Sequence, residues 1–154
     1  MSVYLLALLI GVVAGLRAMT APAAVAWAVY FGWLNLSGSW LAFLGSVWAR
    51  WILTALALVE LVTDQLPSTP SRTVPVQFGA RIVMGAFSGA AVGAAGGSWV
   101  GGLLAGAVGA GAGTLGGRAI RAKLAATFGS DHPAAFTEDA VAVAVALLIG
   151  VALR

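Results

Sequence analysis

The sequence contains no cysteine and a single histidine, His132, in its 154 residues. The absence of cysteine excludes disulfide bonds, thiolate metal sites and thiol nucleophiles, and one histidine excludes multi-histidine metal sites. Charged residues are also scarce, because Asp, Glu, Lys and Arg make up 8% of the chain, against about 25% in soluble domains. A folded soluble chain needs a charged surface, so a soluble enzyme, a nucleic-acid-binding protein and a disordered chain are excluded.

Apolar residues fill the chain instead. Hydrophobic residues account for 61% of the sequence, and the mean hydropathy is +1.01. No charge occurs over residues 18–49 or 82–117, and apolar runs longer than about 18 residues are typical of membrane spans. The sequence therefore predicts an all-α integral membrane bundle, formed by residues 1–154 as a single domain in the lipid bilayer. The net charge of +3 does not indicate a nucleic-acid partner, since the basic residues flank apolar runs.

Turn and cap signals divide the chain into about six short spans. Thr20 followed by Pro22 is typical of the start of a second helix, and a proline-rich loop interrupts the chain after Leu66. The predicted spans are 3–19, 20–36, 48–65, 79–95, 99–120 and 138–151. Polar loops are predicted over 66–79 and 121–137. In the alternative arrangement, 21–36 is re-entrant and five spans remain.

The basic residues predict the orientation. With six spans, the two polar loops share one membrane face, which carries Arg72, Arg81, Arg118, Arg121 and Lys123. Because positively charged loops stay in the cytoplasm, both loops are predicted to be cytoplasmic. An aromatic belt on the opposite face agrees with this arrangement, and it consists of Tyr4, Tyr30, Trp33, Trp40 and Trp99.

Glycines recur every four residues through the fourth and fifth spans, and residues four apart share one face of a helix. The ladder consists of Gly85, Gly89, Gly93, Gly97, Gly101, Gly109, Gly113 and Gly117. Glycine lets helices approach closely in a membrane, so the ladder predicts packing within the bundle, with a homo-oligomer interface and a pore lined by small residues as the alternatives.

Several charged side chains lie within or beside predicted spans, where charge is costly. Arg17 ends the first span, and Glu60 and Asp64 lie four residues apart on one face near the end of the third. Glu60 is predicted to be buried and either paired with an arginine, with Arg17 as the favoured partner, or protonated. An ion pair of Arg17 with Glu60 and Asp64 is consistent with a structural role or with a functional site.

Other polar residues are predicted near the same face. Ser71, Arg72 and the neighbouring loop hydroxyls could hold an anion such as phosphate, although Arg72 also fits a solvated loop charge. Arg118 closes the fifth span and fits a cytoplasmic anchor. Glu138 and Asp139 open the sixth span, where they fit capping charges.

These residues carry a family resemblance. The motifs are Gly15-Leu16-Arg17-Ala18 with Thr20 and Pro22, Glu60-Leu61 with Asp64 and Leu66-Pro67, and Pro70-Ser71-Arg72-Thr73. Together with the glycine-rich stretch, Gly117-Arg118 and Glu138-Asp139, they resemble the domain of unknown function 4126 family of small bacterial membrane proteins. The resemblance implies a multi-pass inner-membrane protein without an established activity. The resemblance also implies a candidate site, called the constellation below, that consists of Arg17, Glu60, Asp64, Arg72, Arg118, Glu138 and Asp139.

Three functions fit the sequence. The first is a small oligomeric transporter or channel for an ion, a small anionic solute or a lipid headgroup, with Thr20 and Ser71 added to the constellation as candidate ligands. The second is a structural or assembly protein that packs through the glycine ladder. The third is an interfacial enzyme that acts on lipid headgroups, in which the clustered carboxylates could hold Mg²⁺. The sequence favours a non-enzymatic role and predicts no cofactor.

Overall fold

The protein is an all-α bundle, as the sequence predicts. A computed structural model describes residues 2–154 and contains six α-helices, a short 3₁₀ helix over Ala42–Gly45 and, within those residues, no β-strand. The helices are α1 Val3–Leu16, α2 Thr20–Tyr30, α3 Val47–Thr63, α4 Pro75–Ala95, α5 Trp99–Phe128 and α6 Asp131–Ala152.

Three of the helices are long and apolar enough to cross a membrane. They are α4, α5 and α6, with 21, 30 and 22 residues. The 14 residues of α1 rise only about 21 Å at 1.5 Å per residue, less than the roughly 30 Å of a hydrocarbon core. The second predicted span is also shorter than expected, since α2 ends at Tyr30 and Gly32 then takes a positive φ of 74°. The long helices indicate a membrane protein.

The helices alternate in direction, so the bundle has two distinct ends. Gly97, with φ 88°, makes the turn between α4 and α5, and Tyr4 of α1 lies against Gly101 of α5. We call this end the aromatic end, because Trp40 and Trp99 meet there with ring centroids 6.0 Å apart. The opposite end, where α1 and α3 finish and α4 and α6 begin, is called the polar end.

Helices α1, α4 and α5 approach one another closely through glycine. A Cβ atom placed on Gly102 would lie 2.6 Å from the Cα of Gly93, and one on Gly89 would lie 2.7 Å from the Cα of Gly106. Gly113 faces α1 in the same way, since its Cβ would lie 2.9 Å from the Cα of Val12. Side chains at these positions would force the backbones apart, so the glycines are what allows this packing.

The loops at the polar end are shorter than the sequence predicts. Of the residues 121–137, only Gly129 and Ser130 lie outside helices, because Gly129 ends α5 in the left-handed conformation and Ser130 is the N-cap residue of α6. The loop predicted over 66–79 ends sooner, because Pro75 is the first residue of α4. Proline is tolerated in a first helical turn, and so Pro133 in the first turn of α6 does not break the helix.

Candidate functional site

All five acidic residues of the chain lie in one cluster at the polar end. Each of them is within 4.0 Å of an arginine. The cluster, called the polar cluster below, consists of Arg17, Arg72, Arg81 and Arg121 with Glu60, Asp64, Asp131, Glu138 and Asp139. The sequence predicted that charges gather at this end, and the structure brings them into direct contact.

Arg17 is the centre of the polar cluster and is completely buried. The chain leaves the helical conformation at Arg17, with φ −142° and ψ 109°, between α1 and α2. Its Nη1 lies 3.0 Å from Oδ2 of Asp64, its Nη2 lies 3.6 Å from Oε2 of Glu138, and its Nε donates to Asp139. One guanidinium therefore joins α3 to α6, which are not neighbours in sequence.

Glu60 does not pair with Arg17, unlike the predicted arrangement. Its two carboxylate oxygens accept backbone N–H bonds from Ala18 at 2.7 Å and Met19 at 2.8 Å. These groups immediately precede α2, whose first backbone N–H groups have no partner within the helix and favour a negative charge. Glu60 thus holds the start of α2, and its nearest cation is Arg81 Nη2 at 3.9 Å.

Arg81 binds the end of α1, on the other side of the junction between α1 and α2, and is 3% exposed. Its Nη1 donates to the carbonyl oxygens of Gly15 at 3.0 Å and Leu16 at 2.6 Å, which end α1. Its Nη2 lies 3.3 Å from Oδ2 of Asp64. The sequence placed Arg81 only as a basic residue opening a span. An arginine within an otherwise apolar helical segment is the signal that marks such a residue as buried and partnered.

Two further arginines, Arg72 and Arg121, form ion pairs nearer the surface. Arg72 binds Glu138 through both terminal nitrogens, with 2.7 Å between Nη2 and Oε2, and its side chain is 8% exposed rather than solvated. Arg121 lies 2.6 Å from Asp131 and 3.4 Å from Glu138. Gly117 provides room for the pair of Arg72 with Glu138, because a Cβ there would lie 3.1 Å from Arg72 Nη1 and 3.0 Å from Glu138 Oε1.

Glu138 and Asp139 are not helix caps. Because α6 begins at Asp131, both residues lie two turns inside the helix. Their carboxylates point into the polar cluster, where Gln65 Nε2 also donates to Asp139 at 2.7 Å. The sequence interpretation failed here because it treated the polar residues before Glu138 as a loop.

A cavity of about 260 Å³ opens next to the polar cluster, and we call it the arginine pocket. The loop between α3 and α4 forms one wall, with Thr69 and Ser71. Its charged lining consists of Arg72, Arg81, Arg118, Arg121, Asp64 and Asp131. Arg72, Arg81 and Arg121 are paired with carboxylates, so Arg118 supplies the uncompensated positive charge of the lining, which suits an anion with several oxygen atoms.

Arg118 is the arginine with the most unused hydrogen-bonding capacity in the pocket. Its Nη1 donates to Thr73 Oγ1 at 3.3 Å, and within residues 2–154 no carboxylate lies within salt-bridge distance of it. A guanidinium has five N–H donors, so most of them are available to a ligand. Ser71 Oγ and Thr73 Oγ1, 3.0 Å apart, add hydroxyl groups on the same side.

The predicted site residues therefore separate into two layers. Asp64, Ser71, Arg72 and Arg118 line the pocket. Arg17, Glu60, Glu138 and Asp139 lie behind it in the ion-pair network. Thr20 belongs to neither layer, because it faces an apolar groove on another side of the bundle and its buried Oγ1 has no hydrogen-bond partner among residues 2–154. The residues that the sequence interpretation left out are Arg81, Arg121, Asp131 and Gln65.

The acidic residues face arginines rather than one another. Throughout residues 2–154, no three Asp, Glu or His side chains are arranged to hold a metal ion. A Mg²⁺ site requires several carboxylate or carbonyl oxygens to converge on one point. The arrangement of donors thus favours an anionic ligand over a metal ion.

The chain matches the family described as Domain of unknown function (DUF4126) over residues 4–152. No curated protein and no solved structure matches it.

Proposed function

The chain belongs to the DUF4126 family, whose description assigns no activity, and we propose that it is a small membrane carrier for an anion that binds in the arginine pocket. The observation that carries this proposal is the lining of the pocket, in which four arginines and two hydroxyl side chains face two aspartates. Its volume of about 260 Å³ suits a small oxyanion such as phosphate.

Ion-pair exchange would couple binding to protons. An anion in the pocket competes with the buried Glu138 for the donors of Arg72 and Arg121. A buried carboxylate that loses its arginine is stabilised by taking up a proton. Anion entry would then bring a proton into the polar cluster, which is the behaviour of a proton-coupled carrier.

The packing supports a carrier over an open channel. Helices α1, α4 and α5 touch backbone to backbone through Gly11, Gly89 and Gly102, which leaves no room for a pathway between them. A route for the anion must therefore lie on the side of the pocket where α3 and α6 meet the loop 64–74. Movement of these segments would expose the site alternately to the two sides of the membrane.

The basic residues determine the proposed orientation of the protein in the membrane. Because Arg72, Arg118 and Lys123 lie at the polar end, this end is cytoplasmic in our proposal, and the membrane is the bacterial inner membrane. A homo-oligomer would give a chain with three helices of spanning length a larger protected interior. The assembly and enzyme hypotheses gain no support, since the glycines contact helices of the same chain and the carboxylates contact arginines.

Arg118 provides a specific test, because its removal leaves no carboxylate without a partner. Inorganic phosphate is titrated into the purified protein by calorimetry, and radiolabelled phosphate uptake is measured in reconstituted liposomes. We expect Arg118→Gln to weaken binding at least tenfold and to lower uptake in parallel.

The matched control is Lys123→Gln, which removes the same charge from an exposed residue outside the pocket lining. It is expected to leave both measurements unchanged. Equal losses in both variants would show a general charge effect and contradict the site. Binding without uptake above that of empty liposomes would disprove the carrier and leave a binding protein.

A further inference from the structure

Arg50 lies far from the polar cluster, in an aromatic cage at the other end of α3. Its guanidinium carbon lies 3.7 Å from the ring centroid of Tyr30 and 5.0 Å from that of Trp27. Trp51 adds a third ring at 6.0 Å. Arg50 is only 7% exposed. Aromatic faces stabilise a cation but do not neutralise its charge.

Arg50 has no anionic partner in the part of the chain that the structure describes. All five acidic residues are in the polar cluster, and Asp64 follows Arg50 by 14 residues, which is about 21 Å along a helix. The buried Nε of Arg50 has no hydrogen-bond partner among residues 2–154. A cation placed in this way at a membrane requires an external counter-ion.

An apolar groove leads away from this cage between α2, α3 and α6. It has a volume of about 190 Å³, and its lining is almost entirely apolar. Trp27 belongs to both features, because its ring stacks over Arg50 and also lines the groove. Thr54 connects them as well, since its Oγ1 accepts from Trp27 Nε1 at 2.9 Å and donates to the carbonyl oxygen of Arg50 at 2.8 Å.

The helical register places Arg50 on the same face as the groove. In α3, Thr54, Leu58 and Leu61 follow Arg50 at intervals of about one turn, and all three line the groove. In α2, Trp27 lies two turns after Thr20, the lining residue nearest the polar end. The face therefore combines a cation near the aromatic end with the apolar groove, which runs toward the membrane interior.

We propose that this face binds one anionic phospholipid, with its phosphate on Arg50 and an acyl chain in the groove. The charge and the apolar surface occur in the order in which a lipid carries its headgroup and its chain. Tyr30, Phe31 and Trp51 are all more than half exposed around the cage, at the level where aromatic side chains meet headgroups. The site is independent of the arginine pocket, which lies at the opposite end of the bundle.

Native mass spectrometry of the full-length protein in detergent tests the proposal. The protein is mixed with dioleoyl phosphatidylglycerol, dioleoyl phosphatidylcholine or inorganic phosphate, and the retained ligand is counted. We expect one phosphatidylglycerol per chain, retained at least tenfold more strongly than phosphatidylcholine. Arg50→Gln should abolish this preference. Arg154→Gln, the matched control, removes an exposed arginine at the same end of the bundle and should retain it.

A second pair of variants tests the groove without changing a charge. Val143→Trp fills the groove from α6, whereas Leu148→Trp adds the same ring at an exposed position outside the lining. Val143→Trp should lower phosphatidylglycerol retention at least fivefold, and Leu148→Trp should not. Any of three results would overturn the proposal. They are equal retention of the two lipids, equal loss of retention in Arg50→Gln and Arg154→Gln, and equal loss of retention in the two tryptophan variants. Competition by inorganic phosphate at concentrations equal to those of the lipid would overturn it too.

Discussion

Arg17 and Asp64 form a buried ion pair, with 3.0 Å between Nη1 and Oδ2, although 47 residues separate them in the sequence. Arg17 also contacts Glu138 and Asp139, so one side chain neutralises acids from two helices. Removing one partner of a buried ion pair is strongly destabilising, because the remaining charges stay buried without compensation. Arg17 is therefore the charge that joins the end of α1 to the end of α3 and to α6.

The first prediction concerns this side chain. Arg17→Gln should lower the free energy of unfolding by about 3 kcal/mol, since three carboxylates lose a buried cation. Thermal unfolding in detergent, followed by circular dichroism, measures the loss. Arg154→Gln serves as the reference, because Arg154 is exposed, and a similar melting temperature for the two variants would contradict the role of Arg17.

The second prediction concerns the junction between α1 and α2. Glu60→Ala should destabilise the protein by about 2 kcal/mol, because two backbone N–H groups lose their acceptor and the start of α2 loses a negative charge. Glu60→Gln keeps one acceptor and should lose about half as much. Chemical unfolding of both variants checks this order, and a Gln variant as unstable as the Ala variant would show that charge alone matters.

The third prediction compares two adjacent glycines of α5. A Cβ on Gly117 would lie 3.1 Å from Arg72 Nη1 and 3.0 Å from Glu138 Oε1, whereas a Cβ on Gly116 meets open space. Gly116→Ala should stabilise the protein by up to about 1 kcal/mol through helix propensity. Gly117→Ala should destabilise it and weaken phosphate binding, because it displaces the pair beside the pocket. If both variants behave alike in unfolding and titration experiments, the close contact at Gly117 is wrong.

The fourth prediction follows from ion-pair exchange in the arginine pocket. Phosphate binding should take up a proton from solution, because the anion frees a carboxylate from Arg72 or Arg121. Calorimetric titrations in two buffers with different ionisation enthalpies measure this uptake directly. Identical binding enthalpies in the two buffers for the unmodified protein would rule out the coupling.

The fifth prediction concerns orientation, and the absence of cysteine makes it simple to test. Ser68 is exposed in the loop before α4, and Ser37 is exposed after α2 toward the aromatic end. A membrane-impermeant thiol reagent applied to intact cells should label Ser37→Cys but not Ser68→Cys, and lysis should expose both. The reverse pattern would place the polar end outside the cytoplasm.

The charge pattern predicts where in the bundle the polar cluster lies. It does not predict which side chains pair with one another. Arg17, Asp64 and Arg118 were placed at one end because each lies where an apolar run stops, and the structure agrees. The spacing of residues in the sequence does not determine which way a side chain turns. The contact of Glu60 with the backbone before α2, in place of Arg17, was therefore not predicted. The predicted start of the fifth span at residue 99 coincides with the first residue of α5.

The start of α6 shows a different limit. Pro133 and the polar residues around it were interpreted as a loop, because a membrane span was expected to begin at the first long apolar run. A helix that projects beyond the bilayer needs no apolar sequence there. Only the left-handed Gly129 and the N-cap residue Ser130 locate the true boundary, and such short signals also occur in ordinary turns.

The contact between Arg17 and Asp139 spans 122 residues and has a consequence for biogenesis. During synthesis, Arg17 emerges with α1 long before its carboxylate partners in α3 and α6 exist. An unpaired arginine is expensive to insert, so α1 and α2 would wait at the membrane surface until the later helices arrive. Chains that stop before α6 would keep Arg17 and Arg72 without Glu138, so the last helix completes the neutralisation of these buried arginines.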